Sequence, residues 1–320
     1  MAKVYVTRPI PEEGIDLLKS KGYQVDINPE DKVLSKEELK KTIAGYNGLL
    51  CLLTDHIDGE VLDAAGNQLK IVANYAVGYD NIDVKAATER KIFVSNTPGV
   101  LTEAVAEHTF ALLMTVAKRI VEADKFVRGG KYKQWEPMSF LGPQIWGKTI
   151  GIVGLGRIGS FVAQIAHGGF NMEVLYHDVK KNPEFEMRFS AKYKEMADLL
   201  IEADFVTIHV PLLPNTHHLI GTKELGSMKQ TAVLINTSRG PVVDEVALVE
   251  ALKNKKIAGA GLDVYEREPE LTPGLVDLPN VALTPHTASA TNEARNAMSR
   301  IAAENIIAAL EGKEPPNLVK

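Results

Sequence analysis

Residues Ile150 to Gly159 read I-G-I-V-G-L-G-R-I-G, and the next apolar run, V-L-Y-H-D, closes on Asp178. The pattern is a short buried strand, a glycine turn, a helix start, a second strand and then an acid. Gly154, Gly156 and Gly159 form G-x-G-x-x-G. The first suits a tight turn, the second lets backbone approach a pyrophosphate, and the third lets a helix sit close on its sheet. The helix start offers unpaired N–H groups and a positive dipole end to phosphates. Asp178, roughly 20 residues further on, stands where a carboxylate accepts hydrogen bonds from an adenosine ribose diol. Glycine-rich turns are common, and the three glycines alone carry little. The strand before them and the acid after them make the segment a candidate dinucleotide-binding βαβ unit.

The fingerprint begins about 150 residues into the chain, which leaves room for a whole domain before it. The chain has 320 residues, 45% hydrophobic and 24% charged, as expected for two globular domains with well-buried cores. A net charge of -5 supplies no basic field for nucleic acid or an anionic membrane, and neither is an expected partner. A small anionic ligand would need a local cation. The single cysteine, Cys51, lies in G-L-L-C-L-L and reads as a buried core thiol. No internal disulfide can form, the first residues lack a signal-peptide layout, and the uncharged run Thr109–Ala117 is too short to span a bilayer. A cytoplasmic protein is expected, with no metal ligand.

The first hundred residues alternate strands and helices: K-V-Y-V-T, a helix from Pro11 to Gly22, Y-Q-V-D-I, a helix opened by a Ser35/Glu38 capping box, G-L-L-C-L-L, helix Gly59–Ala65, L-K-I-V-A-N-Y, helix Val84–Arg90 and I-F-V-S-N. The strands are continuously apolar, as parallel strands covered on both faces are. A turn at Thr97–Gly99 precedes one long helix predicted over Thr102–Val127. This helix is apolar around much of its circumference, and its burial lies either within the chain or between subunits. A second βα series starts at Lys148. The last helix, about Thr291–Glu311, is expected to dock back on the first domain.

The predicted fold is therefore α/β, with two doubly wound parallel-sheet domains. Residues 1–98 plus 288–320 form a discontinuous substrate-binding domain. Residues 99–287 form a Rossmann domain that includes the long helix. The active site is expected in the cleft at the strand carboxyl ends.

Arg239, Glu268 and His286 each sit just past a late predicted strand of the second domain. Hydride transfer to a 2-keto acid needs these residue types. A fixed cation holds the carboxylate and polarises the carbonyl, and the arginine fork suits that task. Histidine suits protonation of the new alkoxide. A carboxylate beside an imidazole orients it and favours its protonated form. Taken singly, each residue has an ordinary reading: a surface arginine, a Glu-Pro loop, a turn histidine. Their order after a nucleotide fingerprint makes them a set.

T-S-R-G-P at Thr237–Pro241, G-L-D-V-Y-E-R-E-P at Gly261–Pro269, T-P-H-T-A-S-A-T at Thr284–Thr291 and N-Y-A-V-G-Y-D-N-I-D at Asn74–Asp83 resemble the signatures of the D-isomer-specific 2-hydroxyacid dehydrogenases. The resemblance runs over essentially the whole chain. L-L-T-D-H-I-D at Leu52–Asp58 and W-E-P-M at Trp135–Met138 add a likeness to that family's glyoxylate/hydroxypyruvate reductases. The resemblance implies that His286 is the proton donor, Glu268 its partner and Arg239 the carbonyl and carboxylate ligand. The backbone N–H groups of Val77 and Gly78 would hold the carboxylate. Gly154, Gly156, Arg157, Ile158 and Gly159 would meet the pyrophosphate, and Asp178 the ribose. Val210, Pro211 and Thr216 would flank the adenosine, while Thr237, Asp263 and Thr102 would lie at the nicotinamide.

It also implies a homodimer joined through the long helix region, the dimerisation helix region of residues 99–287. Trp135 would then reach into the neighbour's substrate pocket, or serve simply as an interface tryptophan. Asp178 favours NAD, because a 2′-phosphate would meet a like charge; Lys180 and Lys181 soften that preference, and NADP stays open. Many NADP-preferring relatives have a neutral or basic residue at this position. Rival readings are a 3-phosphoglycerate or D-lactate type dehydrogenase and a dinucleotide-sensing corepressor. A phosphoglycerate dehydrogenase commonly carries a C-terminal regulatory domain, whereas this chain ends at Lys320. Formate-oxidising relatives carry glutamine where Glu268 stands.

Overall fold

The computed structural model describes residues 1–319, and the chain divides into two compact units, Met1–Leu101 with the residues from Ala290 onward, and Thr102–Ser289. The first unit runs β1 (Lys3–Val6), α1 (Glu12–Ser20), β2 (Gln24–Ile27), α2 (Lys36–Thr42), β3 (Gly48–Cys51), α3 (Gly59–Ala65), β4 (Ile71–Asn74), α4 (Val84–Glu89) and β5 (Phe93–Ser95). Its strands form one parallel sheet in the order β2-β1-β3-β4-β5. The order reverses between β1 and β3, as it does in flavodoxin-like sheets. Alternate strand residues serve opposite faces. Tyr5, Leu49, Val72 and Val94 join Leu39, Val61 and Ala87 in one core.

Short polar side chains start these helices. Ser35 and Glu38 form a reciprocal capping box, Asp58 accepts from the Val61 N–H at 3.1 Å, and Asp83 accepts from the Ala86 N–H at 2.8 Å. Helix α1 begins at Pro11 with no local side-chain cap. Its cap comes from the far end of the sequence, the last helix of the chain, Asn292–Leu310. The buried Ser299 hydroxyl there accepts from the Gly14 N–H at 3.0 Å and donates to the Pro11 carbonyl at 2.6 Å.

The second unit opens with α5 (Thr102–Ala117) and α6 (Ile120–Arg128). It continues through β6 (Thr149–Val153), α7 (Arg157–Phe170), β7 (Glu173–His177), α8 (Pro183–Phe189), β8 (Lys192–Tyr193), α9 (Met196–Glu202), β9 (Phe205–Ile208), α10 (Thr222–Ser227), β10 (Val233–Asn236), a 3-10 turn at Gly240–Val242, α11 (Glu245–Lys253), β11 (Gly259–Leu262) and β12 (Val281–Leu283). The final helix is α12. Seven parallel strands take the order β12-β11-β10-β9-β6-β7-β8. This is the Rossmann order with one strand added at the far edge. One face carries Ile150, Ile152, Tyr176, Phe205 and Ile235, packed with Phe110 and Leu113 of α5 and Val162 and Ala166 of α7. Rings of Phe110 and Phe170 stack with centroids 5.3 Å apart. The other face carries Val206, Ile208, Leu234 and Leu262 against Leu199, Leu225 and Leu248.

The single long helix predicted over Thr102–Val127 is two helices. Arg119 adopts a left-handed conformation, φ 53°, and its N–H turns back to the Val116 carbonyl at 3.1 Å. Its guanidinium pairs with Glu122 at 2.5 Å and lies over the Phe140 ring at 5.4 Å. These contacts offset a backbone conformation that costs about 1–2 kcal/mol. No glycine or proline marks the break. Helix α5 is buried within its own unit along most of its length, whereas α6 has no buried residue. Helix α8 and strand β8 were not anticipated, although Asn182 caps and Pro183 opens α8 in the favoured way.

Replacing Ser299 with alanine strands the Gly14 N–H at the uncapped start of α1. The expected cost is about 1–2 kcal/mol in a denaturant titration. A variant as stable as the parent would remove the cross-chain cap from this account.

Candidate functional site

At the end of β6, Gly154 has φ +96°, and a Cβ there would stand 2.8 Å from the His209 carbonyl oxygen and 2.9 Å from Val210 Cγ1. Only glycine permits both the turn and the approach. A Cβ on Gly159 would stand 2.1 Å from the Gly154 carbonyl oxygen, which explains how α7 starts so close to the sheet. Gly156 is the exposed N-cap of α7 and has no side-chain cap, so the first N–H groups of that helix are open to an anion. Arg157 is exposed and Ile158 half-buried on its first turn.

Asp178 follows β7, and its Oδ2 accepts from the Leu155 N–H at 2.6 Å. The acid therefore braces the glycine turn. Val210 and Pro211 follow β9. The Thr216 hydroxyl ties their loop, donating to the Pro211 carbonyl at 2.6 Å and accepting from the Leu213 N–H at 2.8 Å. His209, at the root of the loop, has a buried Nε2 with no partner, and burial pushes its pKa down to about 3. An open helix start, a braced acid and a neutral imidazole with a spare nitrogen make a cradle that fits an adenine dinucleotide.

The three candidate side chains follow the carboxyl ends of adjacent strands β10, β11 and β12. Arg239 follows β10. Asn236 shapes its turn, accepting from the Ser238 N–H at 3.0 Å and donating to the Arg239 carbonyl at 2.9 Å. Arg239 is half-buried, with Nη1 donating to the Ser238 carbonyl at 2.9 Å. Thr237 is buried, and its hydroxyl lies 3.0 Å from that of Thr109 on α5. His286 follows β12 in a left-handed conformation, φ 55°, fixed by its N–H to the Asp263 carbonyl at 2.9 Å. His286 Nδ1 and Glu268 Oε2 are 2.8 Å apart, and Glu268 Oε1 accepts from the Tyr265 N–H at 3.0 Å. A carboxylate thus orients the ring from one side, leaving Nε2 for other work. Both side chains keep about a quarter to a third of their exposure, 26% and 31%.

The support beneath His286 is Asp263, which has no exposure. Its Oδ1 accepts from the Thr284 hydroxyl at 2.6 Å and the Thr287 N–H at 2.8 Å, and its Oδ2 from the Ala288 N–H at 2.8 Å. His108 of α5 closes the cluster, with Nε2 3.0 Å from Thr284 Oγ1 and 3.4 Å from Asp263 Oδ1. Burial pushes the Asp263 carboxyl up, but the hydrogen bonds from His108, Thr284, Thr287 and Ala288 outweigh it and hold the pKa below its ordinary value. The sequence reading missed His108 and Thr284 as supports. A lone histidine on an apolar helix, facing a strand-end acid, was the available signal.

Val77 and Gly78 are half-buried in the loop after β4 of the first unit. Thr102 is buried at the start of α5, and Trp135 is 77% exposed. Cys51 is fully buried, and burial pushes its thiol well up, which removes it as a nucleophile. No described helix is long and apolar enough to cross a membrane.

Asp263→Asn should cost about 2 kcal/mol at neutral pH, because an amide cannot satisfy all of those donors. Since the folded pKa is depressed, the carboxylate's contribution is full above the unfolded carboxyl range. It is lost as pH falls through the folded value. The gap between parent and variant should therefore narrow in acid; denaturant titrations showing a gap independent of pH would contradict this.

With this geometry in place, comparisons place the chain among known proteins. The model of the D-isomer specific 2-hydroxyacid dehydrogenase NAD binding domain matches residues 110–288. The glyoxylate reductase of Korarchaeum cryptofilum is 51% identical over 99% of this chain and 95% of its own length. A crystal structure of a Thermus thermophilus protein superposes with a TM-score of 0.93 at 45% identity, covering 99% of this chain and 100% of its own. The NADPH-dependent glyoxylate/hydroxypyruvate reductase of Sinorhizobium meliloti, solved with NADP and malonate, gives a TM-score of 0.88 at 32% identity, covering 99% and 96%. The chain belongs to the D-isomer-specific 2-hydroxyacid dehydrogenases and is an NAD(P)-dependent oxidoreductase.

Proposed function

We propose that this protein reduces glyoxylate, hydroxypyruvate or both, giving glycolate and D-glycerate. The observation that carries the reading is the 2.8 Å pairing of His286 Nδ1 with Glu268 at the carboxyl end of a dinucleotide-binding sheet. When bound, the reduced nicotinamide supplies the hydride. His286 delivers a proton from Nε2 to the carbonyl oxygen, while Glu268 fixes the ring. Arg239 and the Val77 and Gly78 amides hold the carboxylate, and Arg239 also polarises the carbonyl. Gly154, Gly156, Arg157, Ile158 and Gly159 hold the pyrophosphate. Val210, Pro211 and Thr216 flank the adenosine, and Thr102, Thr237 and Asp263 border the nicotinamide.

Asp178 supports a preference for NAD over NADP. One carboxylate oxygen braces the Leu155 N–H, and the charge beside it disfavours a 2′-phosphate. Lys181 is drawn over the Tyr193 ring at 4.8 Å, which limits its service to such a phosphate. A homodimer is part of the proposal. Tyr132, Trp135, Met138 and Trp146 are 58% to 77% exposed on one stretch, more apolar surface than a lone subunit ordinarily leaves in water. Sedimentation at twice the chain mass supports the dimer; sedimentation as a single chain contradicts it.

The direct assay is oxidation of NADH in the presence of each keto acid. Tight NADH binding without turnover would favour a dinucleotide sensor instead. His286→Gln should lose at least ~100-fold in kcat while NADH affinity stays near the parent value. Asp178→Ala should narrow the ratio of NADH to NADPH efficiency. Unchanged discrimination would remove Asp178 from the ribose site.

A further inference from the structure

The loop after β4 is held from behind by side-chain amides. Asn74, with no exposure, donates through Nδ2 to the Gly78 carbonyl at 2.8 Å and to Asn81 Oδ1 at 3.0 Å. Asn81 in turn donates to the carbonyls of Leu52 at 3.1 Å and Asp55 at 3.0 Å. Asn96, just past β5, donates through Nδ2 to the Val77 carbonyl at 2.7 Å. Next to it, the Thr97 N–H donates to the Ala76 carbonyl at 2.9 Å. The bracing continues into α12, where Asn305 donates to the Asn96 carbonyl at 3.3 Å and accepts from the Asn317 N–H at 3.0 Å. Three consecutive carbonyls, of Ala76, Val77 and Gly78, are thus pinned on the protein side.

A trans peptide is planar, and its C=O and N–H point opposite ways. These peptides are trans. Pinning the three carbonyls therefore turns the N–H groups of Val77, Gly78 and Tyr79 away from the bracing side chains. Among the described residues those three N–H groups have no hydrogen-bond partner. Successive N–H groups aimed to one side form a concavity that takes an anion. Nothing in the local conformation alone would hold three dipoles in that alignment, since Gly78 is free to rotate.

We propose that Asn74 and Asn96 are positioning residues that hold this loop as a preset receptor for the substrate carboxylate, with Tyr79 supplying a third donor. The proposal rests on the keto-acid reading above, and it places the recognition of the carboxylate in two side chains that never touch it. Selectivity for 2-keto acids over plain aldehydes then depends on Asn96 as much as on the loop.

Oxalate, which carries the same carboxylate and cannot be reduced, reads the receptor without chemistry. Calorimetric titration of oxalate into the NADH complex should give ~10-fold or greater weaker binding for Asn96→Asp and Asn96→Ser than for the parent, at unchanged NADH affinity. Aspartate keeps the shape but sets an acceptor against the Val77 carbonyl; serine removes the reach, and either folded variant suffices. KM for glyoxylate should rise by a similar factor with kcat within ~3-fold, while efficiency with glycolaldehyde, which lacks the carboxylate, stays level. Oxalate binding within twofold of the parent in a folded variant, or no oxalate binding by the parent, overturns the proposal. So does an equal loss with glyoxylate and glycolaldehyde, which would mark general loosening. A parent that binds oxalate yet reduces no keto acid defeats the functional reading alone, and the variants' oxalate affinities still decide the receptor.

Discussion

A carboxylate with no access to water organises the reactive end of the second sheet. Asp263 ends β11, and its two oxygens gather the Thr284 hydroxyl and the Thr287 and Ala288 amides, while its own backbone carbonyl takes the His286 N–H. A buried charge is costly unless donors surround it, so the segment carrying His286 has little choice of conformation. That requirement explains why His286 tolerates φ 55° and why its ring arrives at Glu268. The energy that holds the imidazole in place is spent one layer beneath it.

The first unit meets a similar demand with neutral groups. Its loop after β4 is braced by asparagine side chains. Asn74 and Asn96 can donate to carbonyls without bringing a charge into the interior. In parallel sheets every connection leaves from a carboxyl edge, where backbone groups lose their ladder partners. Buried polar side chains at these edges satisfy them and, in doing so, set which backbone groups stay available to a ligand. The same residues that make the edges stable therefore shape what the edges bind.

Much of this was legible in the sequence because parallel strands buried on both faces leave uninterrupted apolar runs. G-L-L-C and I-V-A-N announced β3 and β4, and glycines at 154 and 159 announced a turn that tolerates no side chain. The break at Arg119 was hidden, because a left-handed arginine held by Glu122 and Phe140 leaves no glycine or proline to read. Strand β8 has two residues, too few for any periodicity. His108, Asn74 and Asn96 looked ordinary for a different reason. Their work is done on backbone carbonyls and on partners as far off as residue 284, and a backbone carbonyl has no letter in the sequence. Residue types at strand ends could be read, but the supports that aim them could not.

The central claim is that one imidazole, fixed by Glu268, and the Arg239 guanidinium address a single keto-acid carbonyl. A crystal structure of the protein with NADH and oxalate tests this most directly. The account predicts an oxalate oxygen within about 3.2 Å of His286 Nε2 and another within the same reach of the Arg239 guanidinium, with the bond from Nδ1 to Glu268 intact. Oxalate bound away from both side chains, or a His286 ring turned off Glu268 in that complex, would contradict it.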